Sequence, residues 1–507
     1  MSKSSLDRRS FLKRAGIAGG AVGWIAVAPG CASPSQAAGA SAAVTVTGRV
    51  TSAGSGVPDV RVTDGLSVVQ TDTDGAFTLP ADARQPFVYI SVPAGYAIPQ
   101  HDTGTARFFE PLGDAPEQDV AFNLEPLPSD DRQHAFLVLA DPQTENEREM
   151  ARFHSETVPA VQDTVDALGD TPTFGVGNGD LMFDDLDLFP EYERAVQRMG
   201  VPFFQVVGNH DLNFDSPAHR GSYDTFRSHF GPGYYSFDRG DVHYVVLNNV
   251  YWPGNDGFGR TTDSYLGHLD DRQLYWLAND LATASPEQPV VVFAHIPMLG
   301  TLYDRRGEDR PSPRGMTANR DALYRMLEPF PEAHIIAGHT HENEHRYHAN
   351  VHEHVVGTVC GAWWSGPITR DGTPNGYAVY EVEGTDISWR YQSSEHEPDH
   401  QMHLYKPGAD PDRPDQVIAN VWDADDEWDI VWYEDGDEQG SMEAYTGTDP
   451  RSEELYRGED NPAGRPWVEP VPTAHLFAAT PSPEATEITV EATDRFGRTY
   501  TETVELG

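Results

Sequence analysis

The stretch Phe203-Phe204-Gln205-Val206-Val207-Gly208-Asn209-His210-Asp211 joins an apolar run to a glycine and three polar residues. A short apolar run that ends at a glycine is typical of a buried strand in a parallel sheet. The polar residues then lie in the loop at the carboxyl end of the strand, where open α/β sheets bind their ligands. The stretch therefore predicts a strand of an α/β domain that leads into a functional site.

The same pattern repeats on both sides of this stretch. Strand-like apolar runs lie at 136–140, 173–176, 203–207, 243–249, 290–294 and 334–338. Segments with helical periodicity lie between them, at 147–168, 187–199, 270–284 and 319–330. Alternation of strands and helices is typical of a layered α/β domain. We predict such a domain over residues 133–357.

Two β-rich regions flank this domain. Residues 44–125 alternate short β-rich runs with turn clusters, and strand-like runs such as YAVYEV and DISWRY return from about residue 375. Strands at this spacing are typical of all-β sandwiches. With 507 residues the chain also exceeds the size of a single core. We predict an N-terminal β-sandwich over 44–125 and a C-terminal β-rich domain over 358–507.

Five segments of the central domain carry side chains that bind metals, each at or just after a predicted strand end. They are Asp141-Pro142-Gln143, Gly179–Asp184, Gly208–Asp211, His295 and Gly338-His339-Thr340-His341. Mixed oxygen and imidazole ligands suit Mn²⁺, Fe, Zn²⁺ or Co²⁺, and the lack of thiolates argues against a structural zinc site. Two such cations can clamp the attacking and leaving oxygens of a phosphoryl displacement. The pattern predicts a two-metal centre, with Asp180 suited to bridge both ions and the glycines allowing tight turns.

In this order, the five segments resemble those of the calcineurin-like metallophosphoesterases. The flanking regions, with Gly361–Gly366 and Thr493–Tyr500, are similar to the three-domain exported branch of that family. The resemblance implies a β-sandwich core flanked by helices for the central domain. It also implies hydrolysis of phosphate esters.

The resemblance further implies a role for each site residue. One metal would be held by Asp141, Gln143, Asp180 and His341, and the other by Asp180, Asn209, His295 and His339. His210, oriented by Asp211, would stabilise the transition state or protonate the leaving oxygen. A metal-bridging hydroxide would be the nucleophile, and Asp184 would orient ligands.

Gln143 departs from the family pattern, which usually has His at that position. A neutral amide oxygen binds more weakly than imidazole and favours harder ions such as Mn²⁺ or Mg²⁺. Of the two divalent ions expected, Mn²⁺ is favoured, and Fe, Zn²⁺ and Mg²⁺ stay open. Asp-x-Gln is also similar to the branch that splits ADP-ribose and CDP-alcohols. Monoester, diester and pyrophosphate substrates therefore all stay open.

The charge of the chain bears on its partners. It has 35 basic and 80 acidic residues, a net charge of −45, which disfavours nucleic-acid or membrane binding through a basic patch. A phosphorylated small molecule is the expected substrate. The alternative function is a cell-surface binding protein on an inactive scaffold. The acidity, with arginine in place of most lysines, suggests a halophilic source, and a GC-rich genome explains the arginines equally well.

Residues 1–38 are predicted to be an export signal. Arg8-Arg9, followed by an apolar stretch too short to span a bilayer, resembles a twin-arginine signal. We expect an exported protein that is extracellular, periplasmic or at the cell surface. Release near Ala37 and a lipid anchor at Cys31 are the alternatives.

Other residues near the predicted site have two interpretations each. The histidines are expected to be strand or surface residues beside the site, and the arginines to pair with nearby acids, although a second substrate phosphate is an alternative. The aromatic residues either stack on a substrate or pack in cores, and Cys360 is expected to be a buried thiol. These residues are His334, His345, His348, His352 and His354; Arg305, Arg306, Arg310 and Arg314; and Tyr251, Trp252, Phe258, Trp363 and Trp364.

Overall fold

The fold was analysed in a computed structural model. It describes residues 43–113, 115–254, 264–308, 312–458 and 465–506. The predicted export signal, Phe258 and Arg310 lie outside the described residues. None of the described helices is long and apolar enough to cross a membrane.

Strands make up most of the regular structure. In chain order they are β1 Ala43–Ser52, β2 Ser55–Gly56, β3 Arg61–Thr63, β4 Val68–Gln70, β5 Ala76–Asp82, β6 Phe87–Ile90, β7 Phe109–Pro111, β8 Glu117–Asn123, β9 Gln133–Leu139, β10 Thr173–Asn178, β11 Phe203–Val206, β12 Tyr235–Arg239, β13 Val242–Val246, β14 Val250–Tyr251, β15 Leu266–Gly267, β16 Val290–Phe293, β17 Ala333–Ala337, β18 Glu344–His348, β19 Val351–Val355, β20 Gly376–Glu383, β21 Asp386–Ser393, β22 Met402–Tyr405, β23 Val417–Val421, β24 Asp429–Glu434, β25 Asp437–Ser441, β26 Glu443–Thr448, β27 Pro472–Ala479, β28 Glu487–Thr493 and β29 Thr499–Glu505.

The described helices lie mainly in the central domain. They are α1 Glu147–Arg152, α2 Val158–Leu168, α3 Phe189–Met199, α4 Asp224–Phe230, α5 Asp271–Leu281, α6 Leu302–Arg305, α7 Arg320–Leu327 and α8 Pro450–Arg457. A π-helical turn, Phe153–Thr157, joins α1 to α2, and short 3₁₀ turns lie at Leu186–Leu188 and His219–Gly221.

The central domain has two sheets packed face to face. The first has the order β11-β10-β9-β20-β21 and the second β12-β13-β16-β17-β19-β18. Aromatic side chains fill the space between them, such as Phe136 of β9, whose ring centroid lies 5.8 Å from that of Phe293 of β16. Helices α1 to α4 pack on the outer face of the first sheet, and α5 and α7 on that of the second. The predicted layered fold, a β-sandwich flanked by helices, is confirmed.

Strands β20 and β21 change the predicted assignment of the C-terminal region. The sequence YAVYEV and DISWRY suggested that they belong to the C-terminal sandwich. In the structure β20 pairs antiparallel with β9 along Ala378–Glu383 and carries β21 at the edge of the first central sheet. Alternation of apolar and polar residues identifies a strand but not the sheet that it joins.

The flanking regions are each built from two four-stranded sheets. At the N-terminal end these are β2-β1-β5, with β8 also paired to β1, and β4-β3-β6-β7. At the C-terminal end they are β22-β23-β27-β26 and β25-β24-β28-β29, which share one apolar core. The N-terminal region packs on the central domain through Phe108, whose ring lies 4.4 Å from that of Tyr235.

Candidate metal centre

The five predicted segments follow strands of the two central sheets. Strands β9, β10 and β11 run parallel to one another in the first sheet, and β16 and β17 run parallel in the second. Asp141, Asp180, Asn209, His295 and His339 each come two or three residues after one of these strands. Because parallel strands present their carboxyl ends at one edge, the segments meet in one place.

The backbone at these positions is unusual. Six non-glycine residues of the predicted set have positive φ: Asp141 (49°), Gln143 (43°), Asp180 (48°), Asp184 (68°), His339 (73°) and His341 (55°). Left-handed backbone at a non-glycine residue is uncommon and costs about 1–3 kcal/mol per residue. Strained backbone of this kind is common at functional sites. Here the strained residues belong to the segments that the sequence analysis predicts to form the metal centre.

The glycines of the motifs have two different roles. Gly179 adopts φ +85°, a conformation that glycine favours. Gly208 and Gly338 are required for close approach instead: a Cβ on Gly208 would lie 1.8 Å from the backbone nitrogen of Asp180, and one on Gly338 would lie 2.4 Å from Oδ2 of Asp141. The predicted need for tight turns therefore holds at Gly179, while the other two make room for carboxylates.

Asp180 lies at the centre of the site. Its Oδ1 accepts a hydrogen bond from the backbone N–H of His210 at 2.8 Å and lies 3.3 Å from Nε2 of His295. Its Oδ2 accepts a hydrogen bond from the amide of Gln143 at 3.2 Å. One buried carboxylate thus contacts both groups of predicted ligands.

Asp141 and His341 form the side of the site next to Gln143. The backbone N–H of His339 donates to Oδ2 of Asp141 at 2.9 Å. The other oxygen, Oδ1, is buried without a hydrogen-bond partner and lies 3.6 Å from Nε2 of His341. A buried carboxylate oxygen without a donor is costly unless a cation binds it. This atom fits a metal site.

The imidazoles are oriented by backbone carbonyls. Nδ1 of His295 donates to the carbonyl of Asn178 at 3.0 Å, and Nδ1 of His341 donates to that of Gly361 at 2.5 Å. Each directs Nε2 towards the other site residues, and such second-atom anchoring is usual for metal-ligating histidines. Nε2 of His295 lies 3.2 Å from Oδ1 of Asn209 and 3.2 Å from Nδ1 of His339. These residues form the second group of predicted ligands.

The pKa shifts of the site residues result from burial and from the two neighbouring carboxylates. Burial lowers the pKa of His339 and of His341 to about 3, so both rings are neutral and keep their lone pairs. Burial, together with the negative charge of Asp180, raises the pKa of Asp141 well above its usual range. Burial would lower the pKa of His295, but Asp180 and Asp141 outweigh it and raise the value to about 9. Two carboxylates buried side by side favour a bound positive charge.

His210 has a different partner from the one expected. Its Nδ1 lies 2.7 Å from Oδ1 of Asp184, and the ring stacks on Phe183 at 4.4 Å. Asp211 is fully buried and does not orient His210. It accepts hydrogen bonds from the backbone N–H groups of Gly208, Leu181 and Met182, at 2.9, 3.2 and 3.1 Å. The predicted role of Asp211 therefore passes to Asp184, and Asp211 holds two loops together.

Three contacts of the site were not anticipated. Phe183 supports His210, and Trp363 stacks on His341 with ring centroids 3.9 Å apart. Cys360 is buried as expected, and its Sγ lies 3.8 Å from Oε1 of Gln143. The position of Phe183 inside the Gly179–Asp184 segment is a sequence signal that it lies near the site. Nothing in the sequence indicates that residues 341 and 363 are in contact.

Several other candidates have structural roles. Trp252 is buried and donates to the carbonyl of Ser216, while Trp364 is buried and donates to that of Pro142. Tyr251 stacks on His219. The side chain of Arg305 is only 9% exposed and pairs with Glu342 at 2.6 Å, rather than with the nearby acids expected from the sequence.

Three family models cover most of the chain. The model described as calcineurin-like phosphoesterase matches residues 134–343, its N-terminal companion matches 44–127, and its C-terminal companion matches 353–500. The chain belongs to the calcineurin-like phosphoesterases. It is therefore a metal-dependent phosphoester hydrolase, as the resemblance of its motifs implied.

Comparison with other proteins adds the following. No curated protein matches the chain. A dimetal phosphatase from Danio rerio is 16% identical, with 52% of this chain and 96% of that chain covered and a TM-score of 0.35. A purple acid phosphatase from yellow lupin is 12% identical, with 66% and 67% covered and a TM-score of 0.36. The assignment of this chain to the calcineurin-like phosphoesterases rests on the family models.

Proposed function

We propose that this calcineurin-like phosphoesterase hydrolyses phosphate ester or pyrophosphate bonds of small molecules at a centre of two divalent cations. The observation that carries the proposal is the position of Asp180. Its two oxygens contact Gln143 on one side and His295 on the other. A carboxylate with both oxygens placed between two sets of ligands is the arrangement that a bridged pair of ions needs.

The residues divide into two sets around Asp180. Asp141, Gln143 and His341 would hold one cation, and Asn209, His295 and His339 the other. When bound, the cations would supply Lewis-acid stabilisation of the phosphoryl group and activate water for attack. Asp180, His295 and His339 already place ligand atoms within 4.8 Å of one another.

Gln143 is the weakest member of its set. In the structure its Nε2 faces Asp180 and its Oε1 faces Cys360. Binding a cation through Oε1 requires the amide to turn over, which exchanges the two atoms. A neutral amide ligand favours harder ions over Zn²⁺, so we propose Mn²⁺ as the activating metal.

His210 is proposed to give a proton to the leaving oxygen. Asp184 fixes the ring through a hydrogen bond at Nδ1. The other ring nitrogen, Nε2, is then the one that would donate a proton to the leaving oxygen. Asp211 and Phe183 keep the loop and the ring in position. None of these residues forms a covalent bond to phosphorus in this proposal.

A comparison of substrates tests the proposed activity. Protein treated with a chelator should not hydrolyse p-nitrophenyl phosphate, bis(p-nitrophenyl) phosphate or ADP-ribose, and Mn²⁺ should restore activity on at least one of them. The substrate on which Mn²⁺ restores the highest activity identifies the class of bond that the enzyme hydrolyses. Activity in protein that elemental analysis shows to be metal-free would contradict the two-cation proposal. No hydrolysis of any of the three with any divalent metal would favour the alternative, a cell-surface binding protein.

We also propose that the protein is exported. Arg8-Arg9 and the apolar stretch after them support this, together with the family's companion domains on both sides of the catalytic domain. Replacing both arginines with lysine should leave the precursor in the cytoplasm, whereas normal export of that variant would indicate the general secretory route. The mass of the mature N-terminus distinguishes release near Ala37 from a lipid on Cys31.

A further inference from the structure

Four histidines form a second cluster, in which the catalytic residues take no part. His334 lies on β17, His345 on β18, and His352 and His354 on β19. All four are buried or nearly so. His334 is the second residue of β17, and His339 of the candidate metal centre comes five residues after His334 in the sequence. At about 3.3 Å per residue the two histidines are separated by roughly 16 Å. We refer to these four residues as the histidine cluster.

The register of the sheet brings the four rings onto one face. His334 pairs with His352 across β17 and β19, and His345 pairs with His354 across β18 and β19. His352 and His354 are two positions apart on one strand, so their side chains point to the same side of the sheet. Their ring centroids are 3.9 Å apart. The sequence pattern His-x-His on β19, flanked by one histidine on each neighbour, therefore produces a compact imidazole cluster.

The ring nitrogens are at the spacing of metal ligands. Nδ1 of His334 lies 3.0 Å from Nε2 of His354, and Nδ1 of His345 lies 3.1 Å from Nε2 of His352. Two nitrogens bound to one tetrahedral Zn²⁺ at about 2.0–2.1 Å are roughly 3.3 Å apart. One nitrogen from each of His334, His352 and His354 lies within 4.8 Å of the other two. Small side-chain movements would bring all three to one ion.

The outer nitrogens are anchored by oxygen atoms. Nε2 of His334 lies 3.1 Å from Oε1 of Glu332, and Nε2 of His345 lies 2.9 Å from Oδ1 of Asp423. Because these carboxylates accept the Nε2 protons, the Nδ1 lone pairs of both rings face the interior of the cluster. Carboxylates behind histidines in this way are usual around bound metals.

From this geometry we infer a third metal site in this protein, with His334, His352 and His354 as ligands for a transition-metal ion such as Zn²⁺, Cu²⁺ or Ni²⁺. A set of neutral imidazoles without an inner carboxylate suits these ions and not Mg²⁺ or Mn²⁺. His345 positions His352 through their 3.1 Å contact. The site differs in ligand type from the candidate metal centre, where carboxylate and amide oxygens dominate.

A cavity and an ion pair lie beside the histidine cluster. His345 and Asp425 line a cavity of about 500 Å³ between β18 and the C-terminal region. Arg495 stacks on Trp389, which itself packs against His354. The guanidinium of Arg495 forms an ion pair with Asp425 at 2.5 Å. The alternative role of the histidine cluster is a hydrogen-bonded imidazole network, and the two roles differ in whether a metal is taken up.

The zinc content of the protein distinguishes a metal site from a hydrogen-bonded imidazole network. Full-length protein is loaded with Zn²⁺, dialysed and analysed for metal, alongside His354→Gln and the control His348→Gln. His348 is an exposed residue of the same sheet outside the cluster. The wild type and the control should hold one more zinc ion per chain than His354→Gln, with phosphoesterase activity equal in all three. Equal zinc in the wild type and a folded His354→Gln would overturn the inference.

A second measurement leaves the histidine cluster unchanged. In a variant with Asp180→Ala and His295→Ala, the candidate metal centre has lost its shared ligand and one imidazole. This variant should still bind Co²⁺ with the visible absorption of a tetrahedral site, and X-ray absorption should indicate imidazole ligation. Absence of tightly bound Co²⁺ in this variant would likewise overturn the inference.

Discussion

His210 is held by a bond that determines what its loss should do. Asp184 fixes Nδ1 at 2.7 Å, so Nε2 is available to protonate a leaving oxygen. Protonation matters for an alkyl leaving group and little for nitrophenolate, which leaves readily as an anion. His210→Ala should therefore slow hydrolysis of alkyl phosphate esters by about 10²–10⁴-fold, and that of nitrophenyl esters far less. Rates on the two substrate types, with metal content measured in parallel, check this prediction.

The two neighbouring carboxylates serve as controls for this prediction. Asp184→Asn should show the same substrate selectivity with a loss of about 10–100-fold, because it only loosens the ring. Asp211→Ala should instead lower the free energy of unfolding, since it leaves three backbone N–H groups without their acceptor. If Asp211→Ala reproduces the selectivity and Asp184→Asn does not, the partner of His210 has been assigned wrongly.

These two aspartates also show where residue-level prediction from sequence fails. Every predicted ligand lies at the site, because each follows a strand and parallel strands end at one edge. The expected partner of His210 is wrong because neighbours in the sequence need not point their side chains to the same place. The side chain of Asp211 points into the protein, and Asp184 contacts the ring of His210 from another loop. The strain at Asp141 and Asp180 was likewise invisible, since φ depends on the completed loop.

At the scale of elements, Gly208 allows the loop after β11 to pack closely against the loop after β10. Gly208 has no space for a side chain, because an added Cβ would lie 2.2 Å from Oδ1 of Asp180. Gly208→Ala should displace that carboxylate and reduce both activity and metal retention by tenfold or more, an order-of-magnitude expectation for a misplaced ligand. Gly113→Ala is the matched control, because the nearest atom to its Cβ would be 3.6 Å away. Unchanged metal affinity in Gly208→Ala would contradict the described packing.

The secondary structure was predicted well where periodicity is long and less well where it is interrupted. Periodicity predicts one helical segment over 147–168, but the π-helical turn Phe153–Thr157 divides it, and Pro159 follows at the start of α2. The apolar pattern is nearly the same on both sides of such a turn, so periodicity does not reveal it. The pairing of β20 with β9 was missed because edge hydrogen bonds leave no pattern in the sequence.

At the scale of the whole molecule, a chain of charges ties the N-terminal region to the central domain. Arg61 pairs with Asp238 at 2.7 Å, and His243 bridges Asp238 and Asp280 at 2.7 and 2.9 Å. Burial raises the pKa of Asp238, but His243 and Arg61 outweigh it and lower the value to about 2. The stabilisation is therefore present above the usual aspartate value near 4 and is lost as the pH falls towards 2.

Asp238→Asn should lose that stabilisation. At pH 6 the wild type should be more stable by about 2 kcal/mol, and the gap should narrow progressively between pH 4 and pH 2. Urea unfolding of both proteins across this range measures the gap. A difference that stays constant down to pH 2 would show that Asp238 is not held by these partners.

The net charge of −45 leads to a separate prediction for the whole molecule. Repulsion among so many carboxylates is screened by salt. If the acidity is an adaptation to salt, the melting temperature should be higher in molar salt than in dilute buffer. An unchanged melting temperature would leave a GC-rich genome as the explanation for the arginine-rich composition.

The central claim is that Asp180 joins two cations, and manganese content tests it most directly. Mn²⁺ suits the oxygen-rich candidate centre and not the histidine cluster, so it counts only the ions of interest. Wild-type protein and the control Asp170→Ala, an exposed residue, should each hold two manganese ions per chain and be active. Asp180→Ala should lose manganese and activity together. Two manganese ions retained in Asp180→Ala would contradict the account.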